Sequence, residues 1–524
     1  MHSAMNRIKT WKSQGRLEPS YILDHLGEGY FGFDRIAVRH FPSKEHELTE
    51  AEFLELLLDK GGLPSSCLDL ARFAFQIVAY LSRTPFYPRG KDKLRTSFTV
   101  GEIYRGLEWL KRDNIRVRGG DSRGRARTPA DERRLLFQSL ATETYRGARD
   151  PDADRQRAIR NAFDVPEPDF EEMEWLYTNY CDDGDEMFND VLDVLHMFQY
   201  DQDRYLPFGN VSREDFLETA KDLVAKQDRF RLHRLAIDLD QFTALVGFLL
   251  AGQFRWEGGK NTDPALFSEA ATAVARSFCE ESSDVIAWGK FDDMLPQMPF
   301  LFDPLHRLLS AVFAGFASFP SFCYKAPTPP RDSFMTLPRL SQLASMVNMD
   351  LYFESFDRAH EWSKRGSVRP SAQVLANVLR SMPDLTVLAV KGSSRSGEEI
   401  IFGSFIPLPA ELEIRKQVED AELGPPVDLD DEIGRQLTVT KLDAVHDRLE
   451  YRGTIMYPAR PYVFMLSPAQ RMVRFEGVPR VDGNLLCFGD TLQLRDDGLA
   501  SFQAGDRIIR MKVTHIEIWG EPRE

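Results

Sequence analysis

The chain is predicted to be an α+β protein in which a helical N-terminal region is followed by an antiparallel β-sandwich with flanking helices. Three observations predict this class. Apolar residues recur at helical spacing through the first 325 or so residues. A proline-rich segment, 325–332, then marks a boundary. From about Asp384 onward, short apolar runs alternate with turn residues, a pattern typical of an antiparallel sandwich.

The length of 524 residues exceeds what one hydrophobic core supports, so several structural regions are expected. The boundaries follow changes in composition along the chain. The predicted regions are a helical region 1–110, an Arg/Gly-rich loop 111–134, a second helical region 135–324, a proline-rich linker 325–332, and a C-terminal domain 333–524 that carries an acidic insertion at 411–434.

Two of these regions are defined by their charge. The loop 111–134 holds nine basic residues and three glycines, which predicts an irregular connection between two helical halves. It lacks the interleaved aromatic residues on which nucleic-acid bases stack, so nucleic-acid binding is not expected. The insertion 411–434 holds nine acidic residues against two basic ones and is predicted to be exposed and disordered.

Four helix starts in the N-terminal half carry N-capping signals. Thr49, Thr99, Ser212 and Asp238 each lie shortly before an acidic or amide residue and then an apolar run. A side-chain oxygen at such a position accepts a hydrogen bond from the first turn of the helix. The same four segments look like the second half of an EF-hand, in which a short strand leads into the exit helix.

Ligand spacing argues against calcium binding at these segments. An EF-hand loop needs oxygen ligands at positions 1, 3, 5 and 12. The best candidate begins Asp201-Gln202-Asp203, but position 5 is Tyr205 and position 12 is Ser212. We therefore predict a degenerate EF-hand-like scaffold without metal, and a calcium-responsive scaffold is the alternative.

Net charge and cysteine usage exclude several classes of protein. The chain has 66 basic and 81 acidic residues, a net charge of −15, which opposes general nucleic-acid binding. No apolar run is long enough to cross a bilayer, and the first twenty residues lack the apolar core of a signal peptide. The five cysteines form no CxxC pair, as expected for reduced thiols in a cytoplasmic protein with no cofactor and no metal site.

The C-terminal domain is predicted to contain two helices and a series of short strands. A Gly/Ser turn at 392–397 lies between two apolar runs and indicates a hairpin. The predicted helices are Leu340–Phe356 and Ala372–Ser381, and the predicted strands are 385–391, 400–406, 462–467, 471–475, 485–488, 491–494 and 511–519.

Four short motifs in this domain occur in a characteristic order. They are Ile401-Phe402-Gly403-Ser404-Phe405, Phe464-Met465-Leu466-Ser467-Pro468, Phe488-Gly489 and Ile516-Glu517-Ile518-Trp519-Gly520. Together they resemble the TLDc domain, the module of oxidation resistance proteins, over about Asp332 to Gly520. Upstream, Trp288-Gly289-Lys290-Phe291 and Pro299-Phe300-Leu301-Phe302 resemble the EF-hand-like region that the fungal restriction of telomere capping protein five joins to such a domain.

The resemblance implies a non-catalytic regulator. Members of the family are linked to oxidative-stress resistance, and several bind the vacuolar proton-pumping ATPase and regulate its assembly. It therefore implies pump subunits as partners, recruitment from the cytoplasm to the vacuole surface, and peripheral membrane association only through that partner. The motif residues that it marks as partner-binding or structural candidates are Gly403, Phe405, Phe464, Ser467, Pro468, Gly489, Glu517, Trp519 and Gly520.

The last strand allows a local argument about Glu517. Alternation along the strand places Val513, His515, Glu517 and Trp519 on one face. A carboxylate among apolar neighbours either finds hydrogen-bond donors or has a raised pKa. Two interpretations follow: a structural glutamate that caps a loop backbone, which we favour, or a reactive acid.

No complete catalytic constellation is present in the sequence. Gly27 to Gly32 fits the GxGxxG pattern of a phosphate-binding loop, but Arg39 stands where a kinase has its lysine, and the HRD and DFG motifs are absent. The chain is therefore not expected to be an enzyme. The alternative is direct antioxidant chemistry, for which Cys487 and Glu517 are the local candidates.

Overall fold

The computed structural model shows a mixed α+β protein with many helices and one large antiparallel sheet. The chain divides into two compact units, Met1–Cys323 and Tyr324–Glu524, which are called the N-terminal unit and the C-terminal unit below. The residues that the structure describes are 2–25, 45–59, 68–86, 97–110, 129–141, 143–144, 188, 190–192, 194–195, 211, 214–225, 232, 235–254, 264–280, 283–313, 328–347, 357–363, 370–382, 386–406, 461–475, 479–504 and 507–520.

The N-terminal unit is mainly helical. Its apolar residues recur at helical spacing, and the predicted helix over 68–81 is observed with these bounds. Three short 3₁₀ segments add to the helices, at Glu214–Phe216, Pro264–Phe267 and Leu295–Gln297. The helices are α1 His2–Ser13, α2 Pro19–His25, α3 Glu50–Asp59, α4 Leu68–Leu81, α5 Val100–Leu110, α6 Pro129–Leu140, α7 Leu217–Val224, α8 Leu239–Ala251, α9 Ser268–Ser277, α10 Trp288–Met294 and α11 Asp303–Phe313.

Short strands lead into four of these helices and pair with one another. Strand β1 (Glu47–Thr49) precedes α3 and pairs antiparallel with β2 (Ser97–Thr99), which precedes α5. Strand β4 (Leu235–Asp238) precedes α8 and pairs with β5 (Val285–Ala287), which precedes α10. A further strand, β3 (Glu143–Thr144), pairs with the other edge of β4. The unit therefore contains two antiparallel pairs of strand–helix segments.

The capping predictions at three of these helix starts are confirmed. The backbone N–H of Thr49 donates to the Glu52 carboxylate at 2.8 Å, and the Glu52 N–H donates to Thr49 Oγ1 at 3.3 Å. Thr99 and Glu102 form the same reciprocal pair at 2.8 and 3.2 Å. The Asp238 carboxylate accepts from the Gln241 N–H at 2.8 Å. Each contact satisfies a backbone donor that the helix itself leaves unpaired. The fourth start, at Ser212, lies outside the described residues.

The predicted loop 111–134 ends earlier than the sequence suggested. Helix α6 begins at Pro129, where proline is well tolerated, so the last six residues of that region are helical. Arg134 is 1% exposed and its guanidinium contacts the buried Asp190 carboxylate at 2.7 Å. Two of the basic residues counted as loop charge, Arg133 and Arg134, are in fact ion-paired helix residues. Residues 111–128 and the acidic insertion 411–434 lie outside the described part of the chain.

The described residues of the C-terminal unit form one antiparallel sheet and two helices. The helices are α12 Leu337–Met346, which begins close to the predicted position, and α13 Ala372–Ser381, which has the predicted bounds. The strands are β6 Asp357–Ser363, β7 Thr386–Ser393, β8 Glu399–Ile406, β9 Tyr462–Ser467, β10 Arg471–Arg474, β11 Arg480–Asp482, β12 Leu485–Phe488, β13 Leu492–Arg495, β14 Leu499–Ala504 and β15 Arg507–Gly520.

Strand β15 joins the two halves of this sheet. The order of the strands is β10-β9-β8-β7-β15-β14-β13-β12-β11, and β6 also pairs with β15. The first part of β15 pairs with β14, from Arg507 to Lys512. The second part pairs with β6, from His515 to Gly520. A long strand can serve both halves because each edge of a strand offers its own row of backbone hydrogen bonds.

The sheet folds over on itself, so that residues from both of its halves share one apolar core. Phe402 on β8 and Phe502 on β14 are three strands apart, roughly 14 Å in a flat sheet. Their ring centroids lie 5.9 Å apart. Phe475, which follows β10, and Phe488 on β12 are 6.0 Å apart although these strands lie near opposite ends of the sheet. Helix α13 packs against the same apolar core through Leu375 and Leu379.

Three sequence predictions for this unit are corrected. Strand β6 lies before Asp384, where no strand was expected, and helix α12 ends at Met346 rather than at 356. The pairing register of β15 with β7 shifts between Val513 and His515, which is a β-bulge. Because one extra residue reverses the alternation, Val513 packs in the core with Ile516 rather than beside Glu517.

Among the described residues, no helix is long and apolar enough to span a bilayer.

Candidate functional site

Glu517 lies at the centre of a buried hydrogen-bond network in the C-terminal unit. Glu517 is 1% exposed and lies in the second half of β15. Oε2 accepts from Ser333 Oγ at 2.8 Å and from Trp519 Nε1 at 3.0 Å. Oε1 accepts from the Phe334 backbone N–H at 3.1 Å and lies 3.4 Å from a guanidinium nitrogen of Arg358. Both oxygens of this buried carboxylate therefore have hydrogen-bond donors within the protein.

The contact with Phe334 N–H bears on the role of this carboxylate. It is the backbone cap that the first interpretation of Glu517 describes. The capped loop comes directly after the proline-rich segment, and Ser333 Oγ also accepts from the Met335 N–H at 3.0 Å. Glu517 thereby holds the residues that lead into α12 against the sheet. We refer to residues 332–346, from this loop to the end of α12, as the covering segment.

Arg358 on β6 supplies the positive charge of the network. Its guanidinium contacts the carboxylates of Asp332 at 2.9 Å, Glu361 at 3.0 Å and Glu517 at 3.4 Å. Burial alone would lower the pKa of Arg358, but the hydrogen bond to Asp332 and the nearby charges of Glu361 and Glu517 raise it. The pKa of Asp332 is lowered by its own backbone hydrogen bond and by Arg358. One cation therefore links the covering segment to two strands.

A second set of contacts ties the first turn of α12 to the sheet. Arg339 on α12 donates to the Phe334 carbonyl at 2.6 Å and forms an ion pair with Glu399 at the start of β8. Glu399 is also paired with Lys391. Burial would raise the pKa of Glu399, but Lys391 and Arg339 together lower it. The helix is thus tied by charge to β8 directly and to β7 through Glu399.

Amide side chains complete the attachment of α12 to the sheet. Gln342, which is 2% exposed, donates to the Leu466 carbonyl and to Gln470 Oε1, both at 3.1 Å. Gln470 in turn donates to the Gln342 carbonyl at 3.3 Å and to Ser345 Oγ at 3.1 Å. These bonds join α12 to β9 and to the turn that follows it. A buried network of this kind is stable only when its members are all paired.

The family-motif residues of β8 and β9 lie under this segment. An added Cβ at Gly403 would come within 2.7 Å of Phe464 Cζ and would collide with the Leu388 carbonyl oxygen. Only glycine therefore fits between β7 and the ring of Phe464. Phe464 and Phe405 are 1% and 2% exposed, and the Phe405 ring contacts Tyr462 with centroids 6.4 Å apart.

The remaining motif residues lie at strand ends and turns. Ser467 ends β9, donates to the Glu399 carbonyl at 3.3 Å, and precedes Pro468 through a cis peptide bond; both residues are half-buried. Gly489 follows β12 with φ +57°, and an added Cβ would lie 3.1 Å from Phe475 Cβ. Trp519 and Gly520, at the end of β15, are buried. The motif residues thus form framework, and Ser467, Pro468 and Gly489 are the half-buried ones among them.

Cys487 does not have the environment of a reactive thiol. It lies on β12, 4% exposed, opposite Arg480 on the neighbouring strand. Burial raises the pKa of the Cys487 thiol, and the nearby Arg480 offsets this only in part. Because the thiolate is the nucleophilic form, the raised pKa disfavours redox chemistry at neutral pH.

No cluster of three or more His, Cys, Asp or Glu residues suited to a metal ion occurs within the described ranges. The candidate calcium loop, Asp201 to Ser212, lies outside those ranges apart from Val211. The structure therefore tests neither the prediction of a metal-free helical scaffold nor its calcium-responsive alternative.

Sequence reasoning found Glu517 and Trp519 but missed their partners. Ser333 and Arg358 lie far from Glu517 in sequence, and the structure brings all three together. Arg358 could have been found only if β6 had been predicted, but its alternation of charged and apolar residues is short. Ser333 was placed just beyond a linker, where a buried contact was not expected.

Comparison with known proteins does not assign the chain to a family. A scan against models of protein families and a search of curated proteins each found no match. The resemblance to the TLDc domain therefore rests on the four sequence motifs.

Proposed function

We propose that the chain is a non-catalytic regulatory protein of the TLDc type, which docks on a large partner through its C-terminal unit. The proposed partner is the vacuolar proton-pumping ATPase, whose assembly the protein would influence, and the protein would also affect oxidative-stress resistance. Recruitment of the protein to the vacuole surface would then occur through the pump. The hydrogen-bond network of Glu517 is the observation on which the proposed docking role rests.

The network around Glu517 supports a structural role for the motif. Four donors from three separate elements converge on one buried carboxylate, which leaves no room on it for a substrate. A general acid or base has to reach a proton on a bound substrate. The site instead fixes the covering segment to the sheet, as a rigid platform for binding requires.

The N-terminal unit is proposed to be an EF-hand-like scaffold that binds no metal. Two antiparallel pairs of strand–helix segments support this proposal, since β1 pairs with β2 and β4 with β5. Calorimetric titration of the full chain with calcium is expected to give no heat of binding. A saturable heat at micromolar calcium would contradict the metal-free scaffold and favour the calcium-responsive alternative.

The pump proposal is tested by affinity purification. The tagged full-length chain is expected to recover subunits of the proton-pumping ATPase from a lysate of its source cells, and deletion of its gene is expected to alter the fraction of assembled pump. The control is a Gly403→Val chain, in which the framework is disrupted. Failure to recover any pump subunit, with pump assembly unchanged after deletion, would contradict the proposal.

A further inference from the structure

Within the part of the chain that the structure describes, the outer face of the β14–β15 hairpin carries exposed side chains. Residues directly opposite each other in an antiparallel pair point to the same side. Ala500 pairs with Met511, and both lie in the core, so the alternate residues point outward. The resulting outer patch consists of Leu499, Ser501, Gln503, Ile508, Arg510 and Lys512.

Two large apolar side chains in this patch are exposed to solvent. Leu499 is 47% exposed and Ile508 is 55% exposed, whereas the apolar residues on the opposite side of the same hairpin are buried or half-buried. Leu499 lies opposite Lys512, and Ile508 lies opposite Gln503. The pair Ser501–Arg510 lies between them, so the two apolar side chains mark the two ends of the patch. Large apolar side chains left exposed on one face are typical of binding surfaces.

The charge of the patch is opposite to that of the chain. Arg510 and Lys512 are exposed, and within the described part of the chain neither forms an ion pair. Further along the same face, Arg480 and Arg495 do have acidic neighbours, at 3.6 and 3.0 Å. The patch thus presents two available cations in a protein whose net charge is −15.

We propose that this outer patch binds an acidic segment of a partner protein, one that combines carboxylates with two apolar side chains. The carboxylates would pair with Arg510 and Lys512, and one apolar side chain would cover Leu499 while the other covers Ile508, roughly 13 Å away along the hairpin. This inference rests on the proposed function, because it names the surface through which the C-terminal unit docks.

The charges favour a protein segment over an anionic membrane. A membrane surface acts on every charge of the chain within a Debye length, so a net charge of −15 opposes approach. A short acidic segment needs only local contact, and arginine binds a single carboxylate through two parallel hydrogen bonds.

The test uses the full chain and a short fluorescein-labelled peptide made of Glu, Leu and Ser. Fluorescence anisotropy at low ionic strength is expected to show saturable binding that weakens as salt is added. The double variant Arg510→Glu, Lys512→Glu is expected to bind at least roughly tenfold more weakly. The control Arg395→Glu reverses an exposed charge in the β7–β8 turn and is expected to bind like the wild type. Thermal unfolding of each variant shows whether the fold is retained.

Several outcomes would overturn the assignment of this patch. Equal binding by the double variant and the wild type would do so, as would binding to phosphatidylserine vesicles in place of the peptide. A wild-type dimer that dissociates in the double variant would assign the patch to a second copy of the chain. Peptide binding that appears only when residues 411–434 are removed would assign it to the chain's own acidic segment.

The pump experiment separates this inference from the function on which it rests. If the wild type recovers pump subunits and the folded double variant recovers them equally well, the pump proposal stands. The outer patch is then not the surface that binds the pump. If neither protein recovers pump subunits, the pump proposal fails, and the peptide titration alone decides whether the patch binds acidic segments.

Discussion

The two halves of β15 carry charge in opposite ways. In the second half, the outward-facing Glu517 is buried under the covering segment and accepts hydrogen bonds from four donors. In the first half, Arg510 and Lys512 face solvent beside two exposed apolar side chains. The bulge between Val513 and His515 separates the halves.

The difference shows that burial beneath a packed segment determines the role of a charged residue. A carboxylate removed from water must be paired, so Glu517 is committed to holding the structure together. Charges that stay in water contribute little to stability and remain available to a partner. We therefore expect substitutions in the covered half to change folding, and substitutions in the open half to change binding. The predictions below test this contrast in order of decreasing effect on stability.

Gly403→Val is expected to have the largest effect, because the added side chain would collide with the Leu388 carbonyl and the Phe464 ring. The free energy of unfolding is expected to fall by about 4 kcal/mol or more, measured by chemical denaturation. The control is Gly397→Ala, in the exposed β7–β8 turn at φ +86°, where an added Cβ meets nothing within 4 Å. It should cost only about 1 kcal/mol of backbone strain. Equal losses for the two variants would contradict the packing argument.

Glu517→Gln is expected to lower the free energy of unfolding by about 2–3 kcal/mol, since the amide presents donors where the carboxylate accepts. Glu361→Gln is the matched control, because Glu361 lies directly opposite Glu517 on β6 and contacts the same Arg358. Its more exposed side chain should cost less than about 1 kcal/mol. Hydrogen exchange should show loosening of residues 333–335 in the Glu517 variant alone. If Glu361→Gln lowered the free energy of unfolding as much as Glu517→Gln, burial of Glu517 would not explain the loss.

Glu399→Gln is expected to make stability depend less on pH. The pKa of Glu399 in the folded chain is lowered from 4.5, because its ion pairs outweigh burial. Its ionised form therefore stabilises the fold above pH 4.5, and this contribution is lost as pH falls through the lower folded-state pKa. The stability difference between wild type and variant should be constant above pH 4.5 and shrink below it. A Glu398→Gln chain corrects for the loss of one charge, and a difference that grows on acidification would contradict the assignment.

Ile508→Ser is expected to change the free energy of unfolding by less than about 0.5 kcal/mol, because the side chain is 55% exposed on the open half of β15. The comparison variant is Ile509→Ser, whose side chain packs against the core from the next position. That variant should be clearly destabilised in the same denaturation experiment. Similar losses at both positions would show that the outer patch is covered.

Much of the local structure could be predicted from the sequence, because local structure depends on neighbouring residues. The pairs Thr49–Glu52 and Thr99–Glu102 follow from a spacing of three residues, and they form in the structure as capping boxes. Helices α4 and α13 follow from apolar periodicity and have the predicted bounds. Alternation along β15 correctly placed Glu517 and Trp519 on one face of the strand. It wrongly placed Val513 on that face too, because nothing local in the sequence marks the bulge.

Only the tertiary structure decided what surrounds these residues. Glu517 meets Ser333 and Arg358 because the sheet and the covering segment bring together positions more than 150 residues apart, and the separations recorded for these two contacts are 184 and 159 residues. The sequence determined that a carboxylate would lie among apolar neighbours on the last strand. The fold determined that it would be fully bonded there while the cations of the same strand stayed in water, because burial depends on what packs over each position.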